Sequence, residues 1–464
     1  MSQLDRCSVY SAFSRNAENS PLGFLLPESD ETGWLVARNL RKALNHLDSL
    51  RRKEEIATDL GLHNAQTDRC TLDRNYDLLR RHQQGSLSTG ALIEELVSQL
   101  RANDRSVTAA EVEEKLREYA TICHMEFHPS DRCNLGCQGC TYGHDSPVTR
   151  PVPISFPLHD IGRIAHLRPE SINISGGGEP TLYTNGEYAF QEMVEQVSDT
   201  NPEVVLSLVT NGTLRPRGDW PNRMAWIRLS LDAATEETYR VFRGKAMFTK
   251  VLENFLDYLD FDVPYVGISF LYAKTNVHEY AQVAHDIHQL VQEHKPDKLP
   301  KVNIQYRPLR RDPRDYQKPF DLAVSEEDIH RTVSAVVQLA QSSLKMERFL
   351  REQTNVTAIL GGNSHPPYEF ARCYYSQIFR IVRANGELRP CFIRVIEPDF
   401  VLGNILNDPL EKIALNALYI AARRKPDCDA HGCRQCHVNF IMEMGLQKQM
   451  APSSSPEVLA DPMF

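Results

Sequence analysis

The stretch CHMEFHPSDRCNLGCQGC, residues 123–140, decides the fold because it joins a short β-rich run to a cluster of cysteines. CHMEFHP (123–129) predicts a strand, and Cys133, Cys137 and Cys140 follow it among glycine- and asparagine-containing loop residues. A free cysteine is commonly a small buried hydrophobic residue, but a core residue has no reason to recur in such a loop. The stretch therefore predicts a strand that ends in a metal-binding loop.

Five further β-rich runs follow, mostly near the roughly 30-residue spacing of a βαβ unit. They are SINIS (171–175), EVVLSLV (203–209), WIRLSL (226–231), PYVGISFLY (264–272) and KVNIQYR (301–307). Helical patterns lie between them, and runs that are apolar on both faces suit buried parallel strands. We therefore expect an α/β fold, a partial (β/α)6 TIM-like barrel with its site at the carboxyl ends of the strands.

Composition excludes several classes of protein. The chain has 464 residues, with 52 basic and 61 acidic side chains, so a net charge of −9 gives no global basic surface for nucleic acid. No apolar run approaches the roughly 20 residues that a membrane span needs. The 11 cysteines are too few and too scattered for a small secreted disulfide scaffold. We expect a soluble cytoplasmic protein with neither nucleic acid nor membrane as its partner, in which clustered thiols stay reduced and bind metal.

A glycine-rich turn, Ser175-Gly-Gly-Gly-Glu-Pro180, follows the second predicted strand. Glycines allow a backbone to approach a ligand closely. Together with the Cys-x3-Cys-x2-Cys loop after the first strand, this turn resembles the radical S-adenosylmethionine (radical SAM) superfamily. The resemblance implies that three cysteines hold a [4Fe–4S] cluster whose open iron chelates SAM: Cys133, Cys137 and Cys140. It also implies that the turn contacts the ammonium group of SAM through Gly177, Gly178 and Glu179.

The same resemblance implies the first chemical step. One electron from the cluster cleaves SAM to methionine and a 5′-deoxyadenosyl radical, which abstracts a hydrogen atom from the substrate. The expected electron source is a flavodoxin- or ferredoxin-type reductant. The alternative for the cysteine loop is a zinc site completed by a histidine such as His144.

Three further positions match weaker patterns of the superfamily. Asn211, in the TNG segment after the third strand, matches residues that line the SAM site. Ser230 occupies the fourth-strand position that binds the ribose, and Arg243 resembles an arginine that pairs with the SAM carboxylate. A turn, a strand-end serine and a solvated arginine are the alternatives, and Asp232 is a candidate helix N-cap. The residue before the third cysteine is usually aromatic, but here it is Gly139; Tyr142 is the candidate replacement.

A second group of cysteines lies near the C-terminus. Cys373-x12-Gly386-x4-Cys391 resembles the opening of SPASM and twitch auxiliary domains, and FRIVRANGELRPC predicts a β-hairpin with Asn-Gly at its tip. The expected ligands of a second, fully ligated [4Fe–4S] cluster are Cys373, Cys391, Cys433 and Cys436. A four-cysteine zinc site is the alternative. Cys428 is unassigned, and it is a candidate ligand, an inert thiol or a catalytic hydrogen-atom donor.

The chain divides into an expected helical N-terminal domain (1–120), a radical SAM core (121–347), a twitch- or SPASM-like α+β domain (348–450) and a flexible tail (451–464). Within the first domain, Thr108-Ala-Ala-Glu111 predicts a capping box that opens a helix to about Tyr119. The expected function is hydrogen abstraction that oxidises or otherwise modifies a peptide or small natural product. The alternatives are a redox-neutral epimerase, dehydratase or deaminase acting on an aminosugar or peptide, and a non-enzymatic iron–sulfur redox sensor or zinc scaffold.

Overall fold

The computed structural model describes most of the chain between residues 46 and 446. The described residues are 46–62, 69–102, 106–138, 140, 142, 153–309, 322–361, 373–395, 397–422, 439, 442, 443 and 446. Gly139, His144, Cys428, Cys433 and Cys436 lie outside this set, as does the predicted tail. No helix in the described part of the chain is long and apolar enough to cross a membrane.

The N-terminal region is helical over its described residues. Its helices are α1 (Leu47–Asp59), α2 (Arg69–Gln83), α3 (Thr89–Ala102) and α4 (Ala109–Ala120). The predicted capping box opens α4: the Thr108 hydroxyl accepts from the Glu111 amide, and the Glu111 carboxylate accepts from the Thr108 amide. Each helix buries a leucine-, isoleucine- or valine-rich face in the main core, as the helical spacing of apolar residues requires.

The six predicted strands all form, and they pair in parallel in chain order. They are β1 (His124–Phe127), β2 (Ser171–Ile174), β5 (Val205–Thr210), β6 (Met224–Ser230), β7 (Tyr265–Tyr272) and β8 (Val302–Pro308). A small antiparallel hairpin, β3 (Thr184–Asn185) and β4 (Tyr188–Ala189), lies between β2 and β5. Strands buried on both faces need covering helices, so the connections are largely helical.

α-Helices connect most of the successive barrel strands, and the β5–β6 connection contains only a short 3-10 helix, Trp220–Arg223. The connecting α-helices are α5 (Ile161–Ala165), α6 (Phe190–Thr200), α7 (Glu236–Arg243), α8 (Phe248–Tyr258) and α9 (Tyr280–His294). Both α7 and α8 lie between β6 and β7. The partial (β/α)6 barrel predicted from the sequence is therefore the observed architecture.

The outer edge of the barrel sheet, at β8, is covered by the segment that follows it. Helices α10 (Glu326–Gln341) and α11 (Leu344–Gln353) lead to Asn355 beside this edge. The Tyr306 amide donates to Asn355 Oδ1 over 2.6 Å, and Asn355 Nδ2 donates to the Tyr306 carbonyl over 3.0 Å. The Asn355 side chain thus hydrogen-bonds both the amide and the carbonyl of Tyr306 in this edge strand. Unpaired peptide groups of an edge strand can otherwise pair with another chain.

The C-terminal segment extends the same sheet on its other side. It comprises α12 (Tyr375–Ile378), β9 (Phe379–Val382), β10 (Glu387–Arg389), β11 (Gly403–Asn404) and α13 (Leu410–Ala422). β9 pairs in parallel with β1, and β10 pairs antiparallel with both β9 and β11. The order across the sheet, within the described residues, is β11-β10-β9-β1-β2-β5-β6-β7-β8.

The predicted hairpin is confirmed, and its tip explains the glycine there. Gly386 has a φ of +83°, and an added Cβ would lie 2.5 Å from Asn404 Oδ1. Only glycine meets both conditions without strain. The α13 helix packs on α2 and α4, where His82 Nδ1 lies 3.0 Å from Asn416 Oδ1. The N-terminal helices and the C-terminal segment therefore pack directly against each other.

Candidate active site

The cysteine triplet lies in the loop that follows β1, and the end of α7 holds this loop in place. The Gly136 amide donates to the Arg243 carbonyl over 3.3 Å, and the Gln138 amide donates to the Phe242 carbonyl over 2.8 Å. Gly244 ends α7 at a φ of +81°, and an added Cβ there would lie 2.6 Å from the Gly136 carbonyl oxygen. A glycine at 244 is therefore what allows the cysteine loop to pack this closely.

The donor set of this loop fits the predicted cluster. Cys133, Cys137 and Cys140 are all free thiols, and each is partly exposed. Burial raises the pKa of Cys133 to about 11, and the two neighbouring thiols add to the increase. Burial also raises the pKa of Cys137, while the positive charge of Arg243 opposes that increase. An iron–sulfur cluster carries negative charge on its thiolate ligands. Three neighbouring thiols with the Arg243 cation beside one of them suit such a group.

The glycine-rich turn after β2 packs directly against the cysteine loop. The Gly178 amide donates to the Ser130 carbonyl over 3.1 Å, and the Glu179 amide donates to the Arg132 carbonyl over 2.7 Å. An added Cβ at Gly178 would lie 2.2 Å from the Arg132 carbonyl oxygen. At Gly177 the nearest atom would be 3.8 Å away, so the backbone there remains approachable. The turn thus has one glycine that packs on the loop and one that leaves open space.

Four hydrogen bonds from the chain itself hold the Glu179 carboxylate. Glu179 is only 2% exposed to solvent. Oε1 accepts from the Thr181 amide (3.1 Å), the Thr181 hydroxyl (2.6 Å) and the Thr210 hydroxyl (2.5 Å), and Oε2 accepts from the Asn211 amide (2.6 Å). Burial raises the pKa of Glu179, and these hydrogen bonds oppose the increase. Contact of Glu179 with SAM stays a prediction, and in the structure its carboxylate ties the turn to the end of β5.

Asn211 continues this chain of contacts to the cysteine loop. Its Nδ2 donates to Asn134 Oδ1 over 2.8 Å, next to the first cysteine. Its Oδ1 accepts from the Thr213 amide (2.9 Å) and hydroxyl (2.7 Å). The ends of β1, β2 and β5 are therefore linked by a continuous network, in which Glu179 holds Asn211 and Asn211 holds the loop.

Arg243 is buried and paired with Asp232 instead of being solvated. Arg243 Nη1 lies 2.9 Å from Asp232 Oδ2, and Asp232 Oδ1 accepts from the Leu271 amide over 2.7 Å. Asp232 has a φ of +59°, and burial raises its pKa while Arg243 opposes the increase. The alternative that Asp232 caps α7 is wrong, because Thr235 is the N-cap and accepts from the Thr238 amide.

The remaining predicted positions lie at the same end of the sheet. Ser230 is the last residue of β6 and is half-buried. The Tyr142 ring packs edge-on against His128, with 5.3 Å between ring centroids, just beyond β1. Contacts of Ser230 and Tyr142 with SAM stay predictions.

Sequence reasoning missed a polar wall inside the barrel. Arg307 Nη2 donates to Ser269 Oγ over 2.9 Å, while Arg307 Nε and both amide atoms of Asn303 have no partner among the described residues. Burial lowers the pKa of Arg307, and the negative charges of Asp232 and Glu126 oppose this. The signal was present in KVNIQYR: polar residues at alternate positions, 303, 305 and 307, share one face of a strand.

Two of the four predicted auxiliary-cluster ligands lie in the described residues. Cys373 immediately precedes the α12–β9 segment and Cys391 follows β10, so the hairpin brings both to the same end of the sheet. Burial raises the pKa of Cys391 to about 12, and the nearby Cys373 thiol adds to this. The Arg380 guanidinium is buried close to Cys373, and burial lowers its pKa to about 10. A buried cation beside Cys373 fits a group with negative charge.

Two stretches of the chain match known protein families. Residues 127–287 match the radical SAM superfamily, and residues 373–437 match an iron–sulfur cluster-binding domain named SPASM. No curated protein sequence matches the chain.

Several solved structures are similar in outline. Native anSMEcpe with bound AdoMet is 20% identical, with 68% of this chain and 88% of that chain covered and a TM-score of 0.46. SuiB of Streptococcus suis is 16% identical, with 86% and 90% covered and a TM-score of 0.46. BtrN in complex with AdoMet and 2-DOIA is 12% identical, with 66% and 93% covered and a TM-score of 0.32.

Proposed function

We propose that this member of the radical SAM superfamily oxidises a peptide or small natural product at an unactivated C–H bond. Its family is given by a radical SAM domain, which is followed by an iron–sulfur cluster-binding domain. When bound, the cluster on the cysteine triplet supplies the electron that cleaves SAM to a 5′-deoxyadenosyl radical, and the auxiliary cluster supplies an electron acceptor. The chain's own residues bind, orient and shield the reactants.

The ends of three strands meet at the cysteine triplet, and this arrangement is the main support for the proposal. The turn after β2 contacts the loop through Gly178, and the end of β5 contacts it through Asn211. We propose that the open backbone at Gly177 receives the methionine end of SAM, and that Ser230 hydrogen-bonds its ribose. Arg243 lies beside Cys137, and we propose that it faces the carboxylate of SAM while Asp232 fixes its orientation.

The polar wall inside the barrel suggests which substrates fit. Arg307 has one guanidinium nitrogen on Ser269 and another without a partner among the described residues, and the Asn303 amide is likewise unsatisfied there. A buried unpaired donor costs about 1–3 kcal/mol, so a substrate carboxylate or amide that satisfies these groups gains affinity. We propose a substrate that carries such a group, which peptides and small amino or hydroxy acids share. The basic stretch RPLRRDPRDY begins at Arg307, and its residues 310–316 lie outside the described residues.

Oxidation, as opposed to rearrangement, is proposed because of the second cysteine group. We propose that Cys433 and Cys436 join Cys373 and Cys391 in holding the auxiliary cluster. The hairpin that carries the latter pair is bonded to β1, the strand that leads into the cysteine triplet. A flavodoxin- or ferredoxin-type protein is the proposed reductant. The proposed setting is the cytoplasm, where thiols stay reduced.

The test uses the full chain, reconstituted anaerobically with iron, sulfide and a flavodoxin reducing system. Candidate peptides and amino or hydroxy acids are added with SAM, and products are measured by mass spectrometry. We expect substrate-dependent 5′-deoxyadenosine and a product lighter by two hydrogen atoms. The double variant Cys433→Ala/Cys436→Ala is the matched control, expected to keep SAM cleavage, to lose roughly half of about eight irons per chain and to lose oxidation.

A product of unchanged mass in H2O that gains one mass unit in D2O would contradict oxidation and favour the redox-neutral epimerase. In that case Cys428→Ala tests the hydrogen-donor role, because loss of deuterium incorporation with unchanged iron content assigns it. Unchanged product and iron in Cys428→Ala would leave this cysteine as an inert thiol.

A further inference from the structure

A third group of side chains of metal-ligand type lies at the opposite end of the sheet from the cysteine triplet. His46 precedes α1, Cys123 precedes β1, and Glu170 precedes β2. Because β1 and β2 are adjacent parallel strands, the residues before them are neighbours, and the Glu170 amide donates to the Cys123 carbonyl over 2.9 Å. One ligand atom from each of the three side chains lies within 4.8 Å of the others.

Burial distinguishes this group from a surface cluster. His46 and Cys123 are each 1% exposed, whereas the Glu170 side chain is 50% exposed. A sulfur atom this deeply buried cannot reach a substrate, so a nucleophilic Cys–His–Glu arrangement does not fit. A small ion can enter past the exposed carboxylate. Thiolate, imidazole and carboxylate together are the ligand types that zinc takes in proteins.

His124 orients the histidine of this group. His124 Nε2 lies 2.7 Å from His46 Nε2, and His124 Nδ1 lies 2.6 Å from Ser171 Oγ. At this distance one imidazole nitrogen donates a hydrogen bond to the other, which fixes the orientation of the His46 ring. Its other nitrogen, Nδ1, lies 3.9 Å from Glu170 Oε2. A hydrogen bond that fixes the non-ligating nitrogen is the usual support of a metal-bound histidine.

We infer that His46, Cys123 and Glu170 bind one zinc ion, with water in the fourth position, independently of the iron–sulfur clusters. Zinc ligands lie about 2.0–2.3 Å from the ion, so the three side chains must close in slightly, and the exposed Glu170 has the freedom to do so. Thiolate and carboxylate together neutralise the ion. The site would join the N-terminal helical region to two strands of the barrel, so that metal binding contributes to folding.

The test measures zinc in the full chain after anaerobic purification with both clusters in place. Elemental analysis should give about one zinc per chain, and zinc X-ray absorption should show one sulfur at about 2.3 Å with nitrogen and oxygen at about 2.0 Å. Cys123→Ser and His46→Gln should lose the zinc and keep the iron. Glu170→Gln changes an exposed side chain and should fold, and its zinc affinity in a chelator competition should fall at least about tenfold.

His82→Gln is the matched control, because His82 is also a buried histidine but contacts Asn416 and Thr89 instead. It should keep its zinc. The inference is overturned by a wild-type chain that takes up no zinc, by zinc in an all-sulfur shell that reports occupation of the cluster cysteines, or by equal zinc affinity in wild type and Glu170→Gln.

Discussion

Replacing Glu179 with glutamine tests whether this carboxylate holds the loops of the active site together. In the folded chain Oε1 accepts three hydrogen bonds from Thr181 and Thr210, and Oε2 accepts one from the Asn211 amide. Glutamine keeps one acceptor oxygen and replaces the other by an NH₂ group. The Asn211 amide then faces a donor and loses its partner in a buried position.

These contacts determine how much stability the substitution removes. A hydrogen bond to a charged group contributes about 1.5–3 kcal/mol, and a buried unpaired amide costs about 1–3 kcal/mol. Burial raises the pKa of Glu179, so the neutral glutamine is easier to bury and offsets part of the loss. We therefore expect Glu179→Gln to lower the free energy of unfolding by roughly 2–4 kcal/mol.

Urea unfolding of the cluster-free chain, followed by circular dichroism, measures this change without interference from cofactors. The control is Glu187→Gln, since Glu187 lies nearby in the turn between β3 and β4 and is exposed. That control should change stability by less than about 0.5 kcal/mol. If Glu179→Gln unfolds at the wild-type urea concentration but no longer binds SAM, the carboxylate acts on the ligand and the positioning role is refuted.

Three further changes probe the frame around the site. Thr108→Ala removes the capping box of α4 and should cost about 1 kcal/mol in urea unfolding; an unchanged midpoint would contradict the cap. Gly178→Ala places a Cβ 2.2 Å from the Arg132 carbonyl oxygen, and it should lower iron retention, whereas Gly90→Ala, with nothing within 4 Å, should not. Burial lowers the pKa of His82. The folded chain therefore binds protons less readily than the unfolded one, and stability should fall as the pH drops below about 6.5. His82→Gln should reduce that loss, and an identical pH dependence would rule out His82 as its source.

Local sequence patterns were sufficient to predict the barrel strands. They could not predict which strands from distant parts of the chain pair with each other. EVVLSLV and PYVGISFLY are largely apolar on both faces, so their burial in a parallel sheet could be expected, whereas KVNIQYR alternates apolar and polar residues. The hairpin was predicted from Asn385-Gly386, and it forms. That its first strand adds to the barrel beside β1 depends on contacts between residues about 250 positions apart, for which a sequence carries no periodic signal.

The site shows the same division between local and tertiary information. The motifs located the cysteine triplet, the glycine turn and Asn211, which do meet at one end of the sheet. Propensity suggested a helix N-cap for Asp232, because aspartate favours that position. Tertiary pairing with Arg243 overrides the propensity, and Asp232 adopts a left-handed conformation with both oxygens occupied.

Formation of 5′-deoxyadenosine by the reconstituted chain with SAM and dithionite tests most directly whether the cysteine triplet holds a cluster that cleaves SAM. We expect 5′-deoxyadenosine and methionine in equal amounts from the wild-type chain. Neither product should form with the triple variant Cys133→Ala/Cys137→Ala/Cys140→Ala, which should still hold the auxiliary cluster. An iron-loaded wild-type chain that leaves SAM intact, or a triple variant that cleaves it equally well, would contradict radical SAM chemistry at the cysteine triplet.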